Sequence, residues 1–136
     1  MKQITFRLKP GQLLKEEIEK ISREKSIKAG VLVSIVAGLE NAVLRMAGAE
    51  PGKEIVKNFD GPFEIIAGTG TISSEGCHIH IAISDKDGNV FGGHLRDGCI
   101  IRKTAEIVLL AFEDVRYKKV FDEETGYKEL SVENNS

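Results

Sequence analysis

The stretch CHIHIAISDKDGNVFGGHL, residues 77–95, decides the fold of this chain of 136 residues. Its flanks, Cys77–Ser84 and Asn89–Arg96, alternate apolar and polar side chains, which predicts two strands. Between them, the segment DKDG at 85–88 is typical of a hairpin turn whose glycine takes the left-handed conformation. A three-residue loop makes Asp85 face Asn89, and this pairing fixes the register of the whole hairpin.

The three histidines of the chain all lie in this hairpin. The register predicts that His80 faces His94 and that His78 faces Arg96, with the three imidazoles on one face because strand side chains alternate. The opposite face is wholly apolar, with Ile79, Ile81, Ile83, Phe91 and Leu95. On the histidine face, the small residues Ala82 and Gly92 leave room for an ion, a ligand or another chain.

Three neutral imidazoles form a ligand set that Zn²⁺ accepts, with a fourth position left open. The sequence therefore offers His78, His80 and His94 as a candidate Zn²⁺ site. An alternative stays open, in which these residues are hydrogen-bonding or interface residues without a metal.

The rest of the chain adds one clear helix, Gln12–Lys25, and further strands. The strands are expected at 3–8, 30–39, 54–59 and 63–73, with 41–47 as a candidate partner of 30–39. The tail adds an apolar-polar stretch with Tyr127, Leu130 and Val132. Residues 104–112 fit a buried strand or a short helix, and we favour the strand. Consecutive strands with one main helix predict the α+β class, as a single domain with a mainly antiparallel sheet.

Composition excludes several classes of protein. Hydrophobic residues make up 41% and charged residues 29%, with a formal net charge of -2, as in an ordinary folded domain rather than a basic nucleic-acid binder. No run approaches the length of a membrane span and no leader is evident at the N-terminus, so we expect a soluble, cytoplasmic protein. Cys77 and Cys99 have no metal-binding or redox spacing and are expected in the core.

Other candidate features are weaker. Glu64 and Glu106 sit in apolar strands and could act as a base or support an imidazole, or simply face solvent. Gly92-Gly93 lacks the strand-to-helix context of a phosphate loop. The run Arg116-Tyr117-Lys118-Lys119, with its cations Arg116, Lys118 and Lys119, could be a weak phosphate patch or a solvated edge strand.

Four segments carry a family resemblance: GPFEIIAGTGTI (61–72), HIHIAISDKDGNVFGGHL (78–95), TAEIV (104–108) and FDEETGYKEL (121–130). With them the chain resembles the plants-and-prokaryotes conserved (PPC) domain in its stand-alone prokaryotic form. The resemblance implies an α+β domain over residues 1–130, assembled as a homotrimer, and we expect residues 131–136 to form a frayed tail.

The resemblance also implies partners. In plant members the domain follows an AT-hook and mediates association among subunits and with transcription factors, and prokaryotic members are commonly described as predicted DNA-binding proteins. The AT-hook core Arg-Gly-Arg-Pro is absent from this chain, so DNA binding is expected to be weak or indirect. Pro62 stands where the plant pattern has Arg.

Three functional hypotheses follow. The first is a homotrimeric binding or regulatory module whose histidine hairpin is its candidate site, with Glu64, Gly92, Gly93 and Arg96 as possible neighbours. The second is a zinc enzyme in which the histidines activate water and Glu64 or Glu106 assists, with no catalytic residue identified. The third is a DNA-associated regulator.

Overall fold

The computed structural model describes residues 1–134. Over that range the chain forms eight strands and one helix. In chain order these are β1 Lys2–Leu8, α1 Leu14–Glu24, β2 Ala29–Arg45, β3 Val56–Ser73, β4 Gly76–Ser84, β5 Val90–Leu95, β6 Ile101–Ala111, β7 Val115–Phe121 and β8 Lys128–Asn134. The expected α+β class, with a mainly antiparallel sheet and one main helix, is confirmed.

Six strands form one antiparallel sheet in the order β1-β6-β2-β3-β4-β5. β5 also returns to the end of β2, where Leu95 pairs with Leu44 and His94 pairs with Arg45. The strands β2 to β5 therefore close into a ring, which brings the end of β2 beside the histidine hairpin. β7 and β8 form a separate hairpin, and β7 contacts both β2 and β3.

The register predicted for the β4–β5 hairpin is confirmed from His80–His94 to Ser84–Val90. Asp85 donates its amide to the Asn89 carbonyl at 3.0 Å, and Gly88 adopts a φ of +83°. The predicted pairing of His78 with Arg96 is wrong. β5 has by then turned towards β2, and the amide of Arg96 donates to the carbonyl of Val43 at 3.1 Å.

For each of the two longest strands, the sequence predicts two shorter segments. Residues 30–39 and 41–47 were expected as partners, yet 29–45 is the single strand β2, with a bulge between Leu39 and Asn41. The side chain of Asn41 anchors the bulge by accepting the amide of Ile100 and donating to the carbonyl of Gly98, each at 3.0 Å. Likewise, residues 60–62, which separate the expected strands 54–59 and 63–73, lie inside β3.

The apolar face of the hairpin lies in the core as predicted. Ile79, Ile81, Ile83 and Leu95 are buried, and Phe91 packs edge-on against Phe59 with ring centroids 4.8 Å apart. α1 buries Leu14 and Ile18 completely. Cys99 is buried and Cys77 packs against the core, so both expected core thiols are confirmed.

The C-terminal part of the chain differs from the expectation of a frayed tail. Residues 131–134 form the second half of β8 and pair with residues 115–118 of β7. Residues 135 and 136 lie outside the described residues. The expected strand at 104–112 is confirmed as β6. Within residues 1–134, α1 is too short to cross a bilayer, and no helix qualifies as a membrane span.

Candidate metal centre

The three imidazoles converge on one face of the hairpin. The ring centroid of His78 lies 5.1 Å from that of His80 and 4.7 Å from that of His94. The ring centroids of His80 and His94 are 5.3 Å apart. One nitrogen from each residue can be chosen so that all three lie within 4.8 Å of one another. The grouping follows from strand alternation, which places His78 and His80 side by side, and from the register, which brings His94 across.

Two of these nitrogens already have the spacing of metal ligands. Nε2 of His78 lies 3.2 Å from Nε2 of His80. Two nitrogens bound at ~2.0–2.1 Å to one tetrahedral Zn²⁺ are separated by about 3.3 Å. In the absence of a metal this contact is a hydrogen bond, in which one imidazole donates and the other accepts.

The third imidazole is held by Arg45, a residue that no motif in the sequence points to. Nη2 of Arg45 lies 3.0 Å from Nδ1 of His94, and a guanidinium can only donate, so the imidazole accepts. Arg45 ends β2 and pairs with His94 across the closure of the strand ring. No local pattern could have revealed this contact, because it joins residues that are 49 positions apart.

The environment of the cluster favours the neutral form of two of the imidazoles. Partial burial, followed by the charge of Arg45, lowers the pKa of His94 to about 3. Burial also lowers the pKa of His78, with a smaller effect of the cation of Lys119. Neutral imidazoles are the form that can bind a metal, because a protonated ring has no free lone pair.

A pocket of about 300 Å³ adjoins the cluster. Its lining includes Arg45, Met46, His80, Gly92, His94 and Tyr127. Tyr127 follows the turn between β7 and β8, and its ring centroid lies 5.4 Å from Cζ of Arg45. The separate hairpin therefore contributes one wall of the pocket.

The two predicted carboxylates do not join the histidines. Glu64 is exposed and pairs with Ser84, four residues along β4 from His80, which corresponds to about 13 Å. Glu106 is exposed on β6, which β2 and β3 separate from β4. The carboxylate nearest to Arg45 is that of Glu54, which the sequence analysis did not single out; its Oε1 lies 3.8 Å from Nη1 of Arg45.

The other predicted neighbours have different positions. Gly92 and Gly93 line the pocket. A Cβ at Gly92 would overlap the carbonyl oxygen of Ile81, so this glycine is required by the sheet of the same chain. Arg96 donates to Oε2 of Glu54 at 2.8 Å and does not pair with His78, whose partner on β3 is Thr71.

The basic run on β7 is not a continuous patch. Strand alternation places Arg116 and Lys118 on one face and Lys119 on the other. Nζ of Lys118 also lies 3.1 Å from a carboxylate oxygen of Glu133. The run therefore lacks the concentrated charge of a phosphate-binding surface.

Comparison with known proteins places these features in a family context. Residues 1–113 match the family described as the Plants and Prokaryotes Conserved (PCC) domain. The bifunctional proteins GlmU of two Synechococcus strains, JA-3-3Ab and JA-2-3B'a(2-13), are 40% and 39% identical to this chain over 128 residues. The alignment covers 94% of this chain but 20% of each GlmU, so the chain spans about one fifth of the length of these relatives.

Two solved structures are similar over almost their whole length. A hypothetical protein from Salmonella has a TM-score of 0.92 and 28% identity, over 99% of this chain and 95% of its own. A protein from Archaeoglobus fulgidus, described as metal-containing, has a TM-score of 0.84 and 30% identity, over 96% of this chain and 94% of its own.

Proposed function

This chain belongs to the Plants and Prokaryotes Conserved domain family, and we propose that it is a cytoplasmic binding or regulatory module of that family which holds one divalent metal ion. The ligands are His78, His80 and His94, and Zn²⁺ is the first candidate. The observation that carries the proposal is the 3.2 Å separation of the two Nε2 atoms, with a third imidazole beside them.

The chemistry of the ligand set favours zinc. Imidazole suits Zn²⁺, whereas Mg²⁺ and Ca²⁺ prefer oxygen ligands. The cluster of possible ligands found within residues 1–134 contains only the three histidines. The metal-containing protein from Archaeoglobus fulgidus, which is 30% identical to this chain, supports a metal in this fold.

We propose binding rather than hydrolysis. A zinc hydrolase needs a group that accepts a proton from the metal-bound water within hydrogen-bond reach. Glu64, the nearer along the sheet of the two carboxylates considered for that role, lies about 13 Å along its strand ladder from His80. No catalytic residue is therefore assigned.

Self-association as a homotrimer is part of the same proposal. The β7–β8 hairpin exposes Phe121, Leu130 and Val132 on one face, with 60%, 46% and 55% of their surfaces accessible. Apolar side chains grouped in this way mark interaction sites on small domains. β1 also leaves one edge of the sheet unpaired.

The test of the metal site is a titration of untagged, chelator-treated protein with Zn²⁺ in a calorimeter. We expect one ion per chain with a Kd tighter than about 10 μM. Titration with Co²⁺ gives an independent readout, because a tetrahedral imidazole site produces characteristic visible absorption. If Zn²⁺ does not bind with a Kd tighter than about 10 μM, the histidines serve packing or the subunit interface and do not bind a metal.

A further inference from the structure

Arg45 is held beside the metal centre by three contacts of different kinds. Its guanidinium donates to Nδ1 of His94 at 3.0 Å, lies 3.8 Å from a carboxylate oxygen of Glu54 and stacks over the ring of Tyr127. Its side chain is only 24% exposed. Glu54 also forms an ion pair with Arg96, so one carboxylate neutralises part of the charge of two guanidinium groups.

The contact with His94 fixes the tautomer of that imidazole. A neutral imidazole has one nitrogen with a free lone pair and one N–H group. Because the guanidinium has donors only, the nitrogen that it contacts must carry the lone pair. Nδ1 of His94 is therefore unprotonated, and its proton is on Nε2.

This tautomer places Arg45 in competition with any metal. If Nδ1 of His94 becomes the ligand, the metal takes the lone pair that the guanidinium now occupies. If Nε2 becomes the ligand, the proton must move to Nδ1, and two donors then face each other. In both cases the guanidinium of Arg45 must leave His94.

A pocket beside Arg45 can accommodate the guanidinium after it leaves His94. The pocket of about 300 Å³ lies between Arg45, His94 and Tyr127, and Gly92 and Gly93 present bare backbone to it. This volume is at the small end of ligand sites. With a divalent ion on the histidines and Glu54 shared between two arginines, the pocket carries net positive charge.

We propose that this pocket binds a small organic carboxylate, recognised by the guanidinium of Arg45 next to the open position of the metal. The inference rests on the proposed metal site and adds the chemical class of its ligand. A guanidinium matches a carboxylate through two parallel N–H···O bonds. Hydrogen bonds to the carboxylate replace the hydrogen bond that the guanidinium of Arg45 loses when it leaves His94. The metal and the carboxylate therefore favour each other's binding.

The experiment measures this coupling with Zn²⁺ and acetate as probes. Zn²⁺ is titrated into the metal-free wild-type protein, Arg45→Gln and Arg96→Gln at constant ionic strength, with and without saturating acetate. In the wild type we expect acetate to tighten Zn²⁺ binding at least about fivefold. Weak complexation of Zn²⁺ by free acetate is the same for all three proteins and cancels in the comparison.

The two variants separate the role of Arg45 from general charge. In Arg45→Gln we expect the acetate effect to vanish and Zn²⁺ to bind more tightly than in the wild type without acetate, because His94 is no longer occupied. Arg96→Gln removes a cation that contacts the same Glu54 carboxylate, but the hydrogen bond to Nδ1 of His94 comes from Arg45, so this variant should retain the acetate effect. Circular dichroism confirms that each variant is folded.

A second measurement reports on Arg45 without any metal. Long-range ¹H–¹⁵N spectra of the metal-free protein should show His94 as the Nε2-protonated tautomer, and Arg45→Gln should lose this preference. Zn²⁺ binding with equal acetate effects in the wild type and Arg45→Gln would overturn the carboxylate site while leaving the metal site intact. Failure of the wild type to bind Zn²⁺ would overturn both proposals, and the spectra would then show whether Arg45 still fixes the tautomer.

Discussion

Nε2 of His78 lies 3.2 Å from Nε2 of His80, so two residues on one face of β4 already present two nitrogen atoms at the spacing of ligands to a tetrahedral metal ion. Their side chains point away from the core, where Ile79 and Ile81 are buried. The metal site and the packing of the hairpin can therefore be altered separately.

Substitution of single histidines tests this separation. His78→Ala, His80→Ala and His94→Ala should each weaken Zn²⁺ binding by at least about a hundredfold, because two imidazoles alone hold zinc poorly. Ser84→Ala alters the same face of β4 away from the cluster and is the matched control. The measurement is calorimetric titration, with urea unfolding as the check of stability. Equal Zn²⁺ affinity in His80→Ala and Ser84→Ala would contradict the assignment.

The metal-free protein should lose stability as the pH falls. The pKa of His94 is about 3 in the folded chain, against an ordinary value of 6.5, and the pKa of His78 is lowered as well. Between these values the unfolded chain binds more protons, so the free energy of unfolding decreases as the pH is lowered through about 6.5 towards 3. Each histidine contributes at most about 1.4 kcal/mol per pH unit.

The measurement is urea unfolding between pH 7.5 and pH 4.5 in the presence of a chelator. His94→Gln, which does not titrate, should show a shallower dependence on pH than the wild type. A steeper or unchanged dependence in the variant would show that His94 is protonated in the folded chain at these pH values.

Gly92 should be intolerant of a side chain for a reason internal to the chain. A Cβ at this position overlaps the carbonyl oxygen of Ile81 and lies 3.1 Å from Cα of Ala82, so β4 and β5 must separate locally. Gly92→Ala should therefore lower the free energy of unfolding by about 1–3 kcal/mol. Gly48→Ala, where the added Cβ meets Cδ1 of Ile55 at 3.4 Å, should change it by less than about 0.5 kcal/mol.

Assembly should depend on the exposed face of the β7–β8 hairpin. Phe121→Asp places a charge where we expect apolar contacts between copies, and it should shift the protein from trimer to monomer in sedimentation velocity at micromolar concentration. Lys86→Asp, at the exposed tip of the histidine hairpin, is the control and should remain trimeric. A monomeric wild type would exclude the proposed trimer.

Binding to duplex DNA should be weak and strongly dependent on salt. The net charge is -2, and the basic run of β7 is divided between two faces, with Lys118 paired to Glu133. We expect a Kd above about 1 μM at physiological salt, measured by fluorescence anisotropy over a series of salt concentrations. Sub-micromolar binding with a sequence preference would contradict this prediction.

Local rules in the sequence determined the histidine hairpin. The alternation of His78 and His80 with buried isoleucines, and a turn whose loop length fixes the register, were enough to place His94 opposite His80. The same alternation identified the apolar face that lies in the core. These features depend on neighbouring residues or on one short turn, so they can be read without knowledge of the rest of the fold.

Only the tertiary structure decided what surrounds the histidines. The closure of β5 onto β2 brings Arg45 to His94 and joins the Arg96 amide to the carbonyl of Val43, and the β7–β8 hairpin supplies Tyr127. The same closure depends on β2 continuing through its bulge at Asn41, where turn-like residues are held within a strand by contacts with residues 98–100. Such contacts join segments far apart in the chain, and their energies are set by the packed sheet rather than by the local sequence.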